Sequence, residues 1–464
     1  MDRETAEPSV TTFPAERAKA WSDYHHEFTA TSTYVYDFVW DITEDAEGPF
    51  CTDVDGNVLL DFTSHVAAAP LGYNNPKIMD RFEEFDLIDP LKIAGQDFYM
   101  GSGPDPTDPE IPGSSHLMER LTDATAAYGL DTVFLSNSGA EAVENAIKIC
   151  YDDRDGAKYA ITFDGAFHGR TLGALSLNRS KAVHRKQYPE IAGVHDMPFC
   201  RDDGCSPATC SCGFFPDSNG VSRLRSKLDP GMGHIDPDDV AYVIVEPIQG
   251  EGGYQFPSDA FMEELAAITT EHDIPLIADE IQAGLGRTGE MWGSDHYAIE
   301  PDVITCAKGL RVGATVGSRE IFPEERGRIS STWGAGDIVS SMLGVFTLDA
   351  VEEYDLMDNA TERGAQLMDR LRDETPEFAI DVRGKGLMVA VEFDTKDRRE
   401  AVLQAALKQG LLTLGCGYKT LRLLPPLDVT EREIDLAVDL LLESFEDPDV
   451  RTPKMSAAAG DEVS

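Results

Sequence analysis

Residues 132–144 read TVFLSNSGAEAVE, an apolar run of strand length that breaks into a turn of small residues and reopens as the first turn of a helix. The same phrase recurs along the middle of the chain. YAITF at 159–163, YVIVE at 242–246, PLIAD at 275–279 and VITCA at 303–307 are short, largely apolar and bounded by turn residues, with stretches of helical spacing between them. A strand that is apolar on both faces has to be covered on both faces. The repetition therefore predicts βα units around a mostly parallel sheet, an α/β fold, entered through a helix expected over Ser114–Tyr128. In such a sheet ligands bind beyond the carboxyl ends of the strands, so the residues just after these runs are where chemistry is to be sought.

Outward from this middle the pattern changes. Cys51–Phe62 reads as a hairpin, with Asp55-Gly56-Asn57 between apolar runs. Beyond about residue 345 come two long amphipathic helices, Met342–Glu353 and Ala360–Glu374, then the strands MVAVEF and TLRLL and a helix over Glu431–Phe445. The expected organisation is a large domain over 66–344 and a smaller α+β domain built from both chain ends, 1–65 and 345–450. A Cys-rich insertion is expected near 198–215, and a frayed tail over 451–464.

Composition narrows the function classes. Among 464 residues, 84 Asp and Glu stand against 39 Lys and Arg, a formal net charge of −45. Nucleic acid and anionic membrane are poor partners for that field. The chain is not a disordered acidic protein, because its 42% hydrophobic residues suffice for a packed core. The acids are dispersed in pairs and triplets over a whole surface, the pattern of a salt-adapted protein whose self-repulsion is screened by concentrated salt. Eight cysteines in so long a chain do not make a disulfide scaffold. The N-terminus lacks the basic and apolar regions of a signal peptide, and no apolar run approaches ~18 residues, so a cytoplasmic protein is expected.

The candidate site residues follow the strands. Ser138, Gly139 and Ala140 open a helix whose free amides and dipole make an anion site, although the same residues suit an ordinary Ser-capped helix. Past YAITF, Phe167 can cover a flat heterocycle and Arg170 can pair with a carboxylate; both also suit plain packing. Glu246 ends YVIVE, and Glu251 follows in a glycine-rich turn. Asp279 ends PLIAD with Gln282 three residues on, and a carboxylate buried there needs a cationic or hydrogen-bonding partner. Lys308 follows VITCA; an amine beside apolar walls loses its proton readily and becomes a nucleophile. Singly these are ordinary residues. Together, a phosphate site, an aromatic face, a buried Asp and an amine nucleophile are the parts that hold pyridoxal 5'-phosphate.

In order and spacing, SNSGAEAVENAIK, FHGRT, VEPIQGEGG, ADEIQAGLGRTG, CAKG and LRLLPPL resemble the class III (ω-type) aminotransferases of the fold-type-I pyridoxal phosphate enzymes, over about residues 50–445. The resemblance implies that fold, with a mostly parallel seven-stranded sheet in the large domain. It makes Lys308 the lysine bonded to the cofactor and Asp279 the partner of the pyridine nitrogen, both catalytic. Gln282 becomes a contact to the ring hydroxyl, Ser138, Gly139 and Ala140 the phosphate cup, Phe167 the stacking ring, and His168 and Glu246 further cofactor-binding residues. Thr332 would be a phosphate ligand given by the neighbouring subunit, which implies a homodimer with shared active sites. Its loop reads Thr-Trp-Gly-Ala-Gly-Asp where the family more usually has Thr-aromatic-Gly-Gly-Asn-Pro.

Arg170, Glu251 and Arg422 match a family arrangement that serves two substrates in turn. One arginine reads the distal carboxylate and the other the α-carboxylate of glutamate or 2-oxoglutarate; the glutamate neutralises the latter arginine when an ω-amine is bound. The expected reaction takes an amino group from an ω-amino acid, 4-aminobutyrate first, with acetylornithine, ornithine and lysine as competitors, to 2-oxoglutarate. A racemase or epimerase on the same scaffold would use the same lysine and ring. The resemblance does not explain Cys200, Cys205, Cys210 and Cys212, spaced C-x4-C-x4-C-x-C in a Gly/Ser/Asp-rich insertion. Four thiolates satisfy tetrahedral zinc, yet the usual C-x2-C knuckles are missing, and free thiols or a local redox pair are the alternatives.

Overall fold

The computed structural model describes residues 1–33, 38–85, 95, 97–216 and 219–453. The chain divides into two compact units, Met1–Met79 with Asp358–Ser464, and Asp80–Met357. The change of sequence pattern had placed the limits at 65/66 and 344/345. All of the expected tail beyond residue 453 lies outside the described residues.

In the smaller unit a helix over Glu16–Phe28 precedes β1 (Phe50–Thr52) and β2 (Val58–Asp61), the expected antiparallel hairpin, with Phe50 opposite Leu60. Asp53 Oδ1 accepts the amides of Asp55 and Asn57 at 2.9 and 2.8 Å, and Gly56 turns the chain at a φ of +85°, a conformation glycine adopts without strain.

The larger unit holds β3 (Thr132–Ser136), β4 (Tyr159–Phe163), β5 (Val194–Met197), β6 (Val240–Val245), β7 (Leu276–Asp279), β8 (Val303–Cys306) and β9 (Gly313–Gly317). They form one seven-stranded sheet in the order β3-β9-β8-β7-β6-β4-β5. β9 runs antiparallel to both neighbours and the other pairings are parallel. Alternate residues feed two cores. Ile161, Val243, Val245 and Leu276 pack with Phe261, Met262, Leu265 and Ile268 of the helix Asp259–Glu271. Ala160, Ala241, Ile244 and Ile277 pack with Val143, Ala146, Ile147 and Ile149 of the helix Gly139–Asp153. Covering both faces in this way is what the doubly apolar strands require.

The second part of the smaller unit supplies β10 (Ala379–Lys385), β11 (Met388–Phe393), β12 (Leu411–Leu412), β13 (Leu414–Cys416) and β14 (Thr420–Leu423). β12 lies parallel to β2, with Leu411 opposite Leu60, so the two chain ends share a three-stranded sheet; β10-β11-β14-β13 form another. Arg3 ties the ends further, its guanidinium donating to Glu433 Oε1 at 2.6 Å and Asp428 Oδ2 at 2.8 Å.

Two helix expectations are corrected. The helix from Ser114 stops at Ala124 rather than Tyr128. The Thr125 hydroxyl donates to the carbonyls of Leu121 and Leu130, and Gly129 turns the chain at a φ of +71°. The helix containing Met342–Glu353 begins at Ile338, capped by Asp337, and is not amphipathic: Met342, Val345, Phe346, Leu348 and Val351 are buried together with Ser341 and Thr347. Those two polar side chains tolerate burial because they donate to the backbone, to Ala335 and Leu343. Among the described residues no helix is long and apolar enough to cross a membrane.

Candidate active site

Five strands, β3, β4, β6, β7 and β8, deliver side chains from their carboxyl ends. After β3, the Ser138 hydroxyl accepts the Glu141 amide at 3.2 Å, and the Glu141 carboxylate folds back to accept the Asn137 amide at 2.7 Å. First-turn amides have no intrahelical acceptor, so those of Gly139 and Ala140 open the positive end of a 15-residue helix. A Cβ at Gly139 would stand 2.7 Å from Ile281 Cδ1, which brings this turn hard against the residue two past Asp279.

After β4 and β6, Glu246 acts as a buried staple. Its two carboxylate oxygens accept the amides of Phe167 and Gly250, each at 2.9 Å, and burial pushes its carboxyl up to about 7. His168 is fixed from behind by Asn178, whose Oδ1 accepts the His168 amide at 2.6 Å while its Nδ2 donates to the Gly169 carbonyl at 2.7 Å. The imidazole Nδ1 of His168 lies 2.7 Å from Asp279 Oδ2, and Asp279 Oδ1 accepts the Ile281 amide at 3.1 Å. This is the partner that an Asp buried at the end of β7 was expected to need. His168 Nε2, Gln282 Oε1 and Thr305 Oγ1 are buried polar atoms with no hydrogen-bond partner among the described residues.

β8 runs parallel to β7 with Thr305 opposite Asp279, which sets Lys308 three residues beyond that register at the same edge of the sheet. Lys308 is half-buried and held at a φ of +51°, a left-handed conformation that costs a non-glycine residue energy and concentrates at functional sites.

The remaining candidates are more scattered. Arg170 is exposed, its Cζ 5.9 Å from the Phe167 ring centroid, and His184 meets the same ring edge-on at 5.5 Å. Glu251 forms an ion pair with Lys181, a residue sequence reasoning did not single out. Thr332 is exposed in the loop before Ile338. Arg422 belongs to the smaller unit, buried in β14 between Ala390 of β11 and Leu414 of β13.

Two further buried ions went unpredicted. Glu280 accepts from the amides of Gly293 and Ser294 and from the Ser294 hydroxyl at 2.8, 2.7 and 2.6 Å, and burial pushes its carboxyl up to about 7. Arg287 is wholly buried, which draws its guanidinium down to about 10. The available signals were an acid directly following Asp279 at the end of an apolar strand, and an arginine enclosed in the small-residue run AGLGRTG.

This donor set fits pyridoxal phosphate. Helix amides suit the phosphate, a carboxylate pinned by one amide and one imidazole suits a protonated ring nitrogen, and Gln282 Oε1 and Thr305 Oγ1 are buried polar atoms with no partner among the described residues.

A family model described as aminotransferase class-III matches residues 34–445. An acetylornithine aminotransferase of Synechocystis is 31% identical over 425 residues, 86% of this chain and 88% of that protein. A probable mitochondrial 4-aminobutyrate aminotransferase of Caenorhabditis elegans is 31% identical over 475 residues, covering 94% of each. An alanine/serine racemase of Pyrococcus horikoshii is 30% identical over 423 residues, 86% of this chain and 84% of that protein. Among solved structures, the lysine aminotransferase of Mycobacterium tuberculosis in its internal aldimine form superposes with a TM-score of 0.80 at 26% identity, covering 93% of this chain and 99% of that one.

Proposed function

Because the chain belongs to the class-III aminotransferase family, whose members depend on pyridoxal 5'-phosphate, we propose that it transfers the amino group of an ω-amino acid to 2-oxoglutarate, yielding a semialdehyde and glutamate. The preferred donor in this reading is 4-aminobutyrate, with acetylornithine, ornithine and lysine as competitors. The observation that carries it is the buried His168–Asp279 pair at the end of β7, with Lys308 at the same sheet edge after β8. Arg170, Glu251 and Arg422 support the choice of donor.

When bound, pyridoxal phosphate supplies an electron sink for the pair left behind as a proton leaves the amine-bearing carbon. The chain supplies the rest. Asp279, pinned by the Ile281 amide and backed by His168, would hold a proton on the ring nitrogen. Lys308 Nζ, as a free amine, takes the proton from the amine-bearing carbon and returns it during the transfer. The Gly139 and Ala140 amides and the Ser138 turn hold the phosphate, and Gln282 orients the ring hydroxyl. Glu246 fixes the backbone at Phe167 by accepting its amide, and Phe167 would supply the aromatic face for the ring. Arg170 reads the distal carboxylate of the donor, and Arg422 the α-carboxylate of the oxoacid. In this reading the protein is a cytoplasmic homodimer in which Thr332 completes the neighbouring subunit's phosphate site.

Glutamate formation from 2-oxoglutarate, measured with each donor in turn, tests the substrate assignment. Efficient turnover with 4-aminobutyrate supports it, and turnover with an α-amino acid alone overturns it. Interconversion of D- and L-amino acids without consumption of oxoacid would mark a racemase instead.

A further inference from the structure

Between β5 and β6 lies an insertion that the site above does not use. Cys200, Cys205, Cys210 and Cys212 gather their four sulfurs within 4.8 Å of one another. Cys200 Sγ stands 3.3 Å from Cys205 Sγ and 3.1 Å from Cys212 Sγ, and Cys210 Sγ is 3.3 Å from Cys212 Sγ. None of the four is in a disulfide. We propose that these cysteines form a closed tetrathiolate site for one zinc ion, which holds the insertion onto the core of the larger unit.

The spacing selects a mononuclear site. Tetrahedral zinc with Zn–S bonds of ~2.3 Å sets its sulfurs ~3.8 Å apart; three of the separations here are shorter, 3.1 to 3.3 Å, and all four sulfurs lie within 4.8 Å, so a metal ion would enter by moving them apart by only a few tenths of an ångström. An iron–sulfur cluster would push its cysteines further outward, because an inorganic core of several atoms lies between them. The backbone is arranged for thiolate charge as well. The amides of Phe214 and Phe215 donate to Cys212 Sγ and Cys210 Sγ, each at 3.4 Å, and Gly213, at a φ of +87°, makes the turn that aims them. Such outer donors orient and stabilise metal-bound sulfur. This geometry does without C-x2-C knuckles because the two x4 spacers fold into their own turns: the Cys205 amide donates to the Asp202 carbonyl, and the Ser206 amide to the Thr209 hydroxyl.

Four protein ligands leave no position for substrate, so the ion is structural. Binding needs no oxidant: four thiols release their protons as four Zn–S bonds form. Cys200 and Cys205 are buried in the same core as Phe163, Phe199, Phe214, Phe215 and Phe261, with Cys210 and Cys212 packed against it. Removing the metal therefore loosens the insertion rather than the residues around Lys308.

The holoenzyme, purified without chelator, should contain one zinc per chain by elemental mass spectrometry, with four sulfur neighbours at ~2.3 Å by X-ray absorption. Titration with a mercurial should release that zinc as the four thiols react. The double variant Cys205→Ser/Cys212→Ser should lose the zinc and melt at lower temperature. A wild-type chain free of zinc, or holding iron with acid-labile sulfide, or cross-linked by disulfides among these cysteines, overturns the proposal. So does a double variant that keeps its zinc. Because the metal content of the unaltered chain decides the matter, a variant that fails to fold does not leave it open.

Discussion

Nδ1 of His168 sits 2.7 Å from Oδ2 of Asp279, with both side chains sealed from solvent and the other carboxylate oxygen occupied by the Ile281 amide. The carboxylate is thus held in one orientation from two sides. Both of its oxygens therefore have hydrogen-bonding partners, which an isolated buried carboxylate would lack.

Asp279→Asn should leave the fold intact and lower kcat by tenfold to a hundredfold or more, since hydrogen bonds to charged groups are worth ~1.5 to 3 kcal/mol. His168→Gln should cost less, because in this reading the imidazole acts through Asp279. The two changes together should cost about as much as Asp279→Asn alone. Additive losses in this double-mutant cycle would show that His168 acts independently of Asp279.

Lys308→Ala should abolish turnover. Borohydride reduction followed by peptide mass mapping should place the cofactor on residue 308 of the unaltered enzyme and find no labelled lysine in the variant. Label on another lysine would move the nucleophile elsewhere.

Burial raises the carboxyls of Glu246 and Glu280 from 4.5 to about 7 in the folded chain. A raised carboxyl favours the protonated form in the folded state, so its contribution to stability is full below pH ~4.5 and is lost as pH climbs towards 7. Each fully shifted group adds a slope of about 1.4 kcal/mol per pH unit inside that window. Glu280→Gln turns an amide nitrogen towards the Gly293 or Ser294 amide, so the variant should be less stable at every pH. Its loss of stability between pH 4.5 and 7 should nevertheless be shallower than that of the wild type. Parallel curves in denaturant titrations across that range would contradict the assignment.

Arg422→Ala should impair the 2-oxoglutarate half-reaction more than the donor half-reaction, by tenfold to a hundredfold for one charge-assisted pair. Rapid-mixing measurements of each half separately decide this, and equal losses would make Arg422 structural.

The charge of −45 should make stability depend on salt. Molar KCl cuts the Debye length to ~3 Å and screens the dispersed acids, so Tm and dimer fraction should rise between dilute buffer and molar KCl. A flat response would assign the acidic surface to solubility alone.

The strands that carry the site were legible because each is apolar on both faces, and β3, β4, β6, β7 and β8 match the five runs within a residue or two. β5, reading VHDM, and β9, reading GATVG, give no such signal. β5 lies at the edge of the sheet, where His195 and Asp196 need not be covered, and β9 is built of small residues between β3 and β8. Asp279 and Lys308 were legible as candidates from their places after apolar runs only when taken together with the other motifs. The partner that fixes Asp279 was not, because His168 reaches it across 111 residues through tertiary folding and is itself held by Asn178. Lys181 illustrates the same limit: seventy residues separate it from Glu251, and no periodicity links them. The helix over Met342–Glu353 misled because Thr347 looks like part of a polar face while its buried hydroxyl donates to the Leu343 carbonyl.

The central claim is that this aminotransferase takes its amino group from an ω-amino donor. The most direct measurement is the absorption spectrum of the holoenzyme mixed with 4-aminobutyrate and no oxoacid, followed by addition of 2-oxoglutarate. The bound aldehyde form of the cofactor should convert to its amine form in the first step, with release of succinic semialdehyde, and the starting spectrum should recover fully, with glutamate formed, in the second. A spectrum unchanged by 4-aminobutyrate, acetylornithine, ornithine and lysine alike, in an enzyme that racemises an α-amino acid, would contradict it.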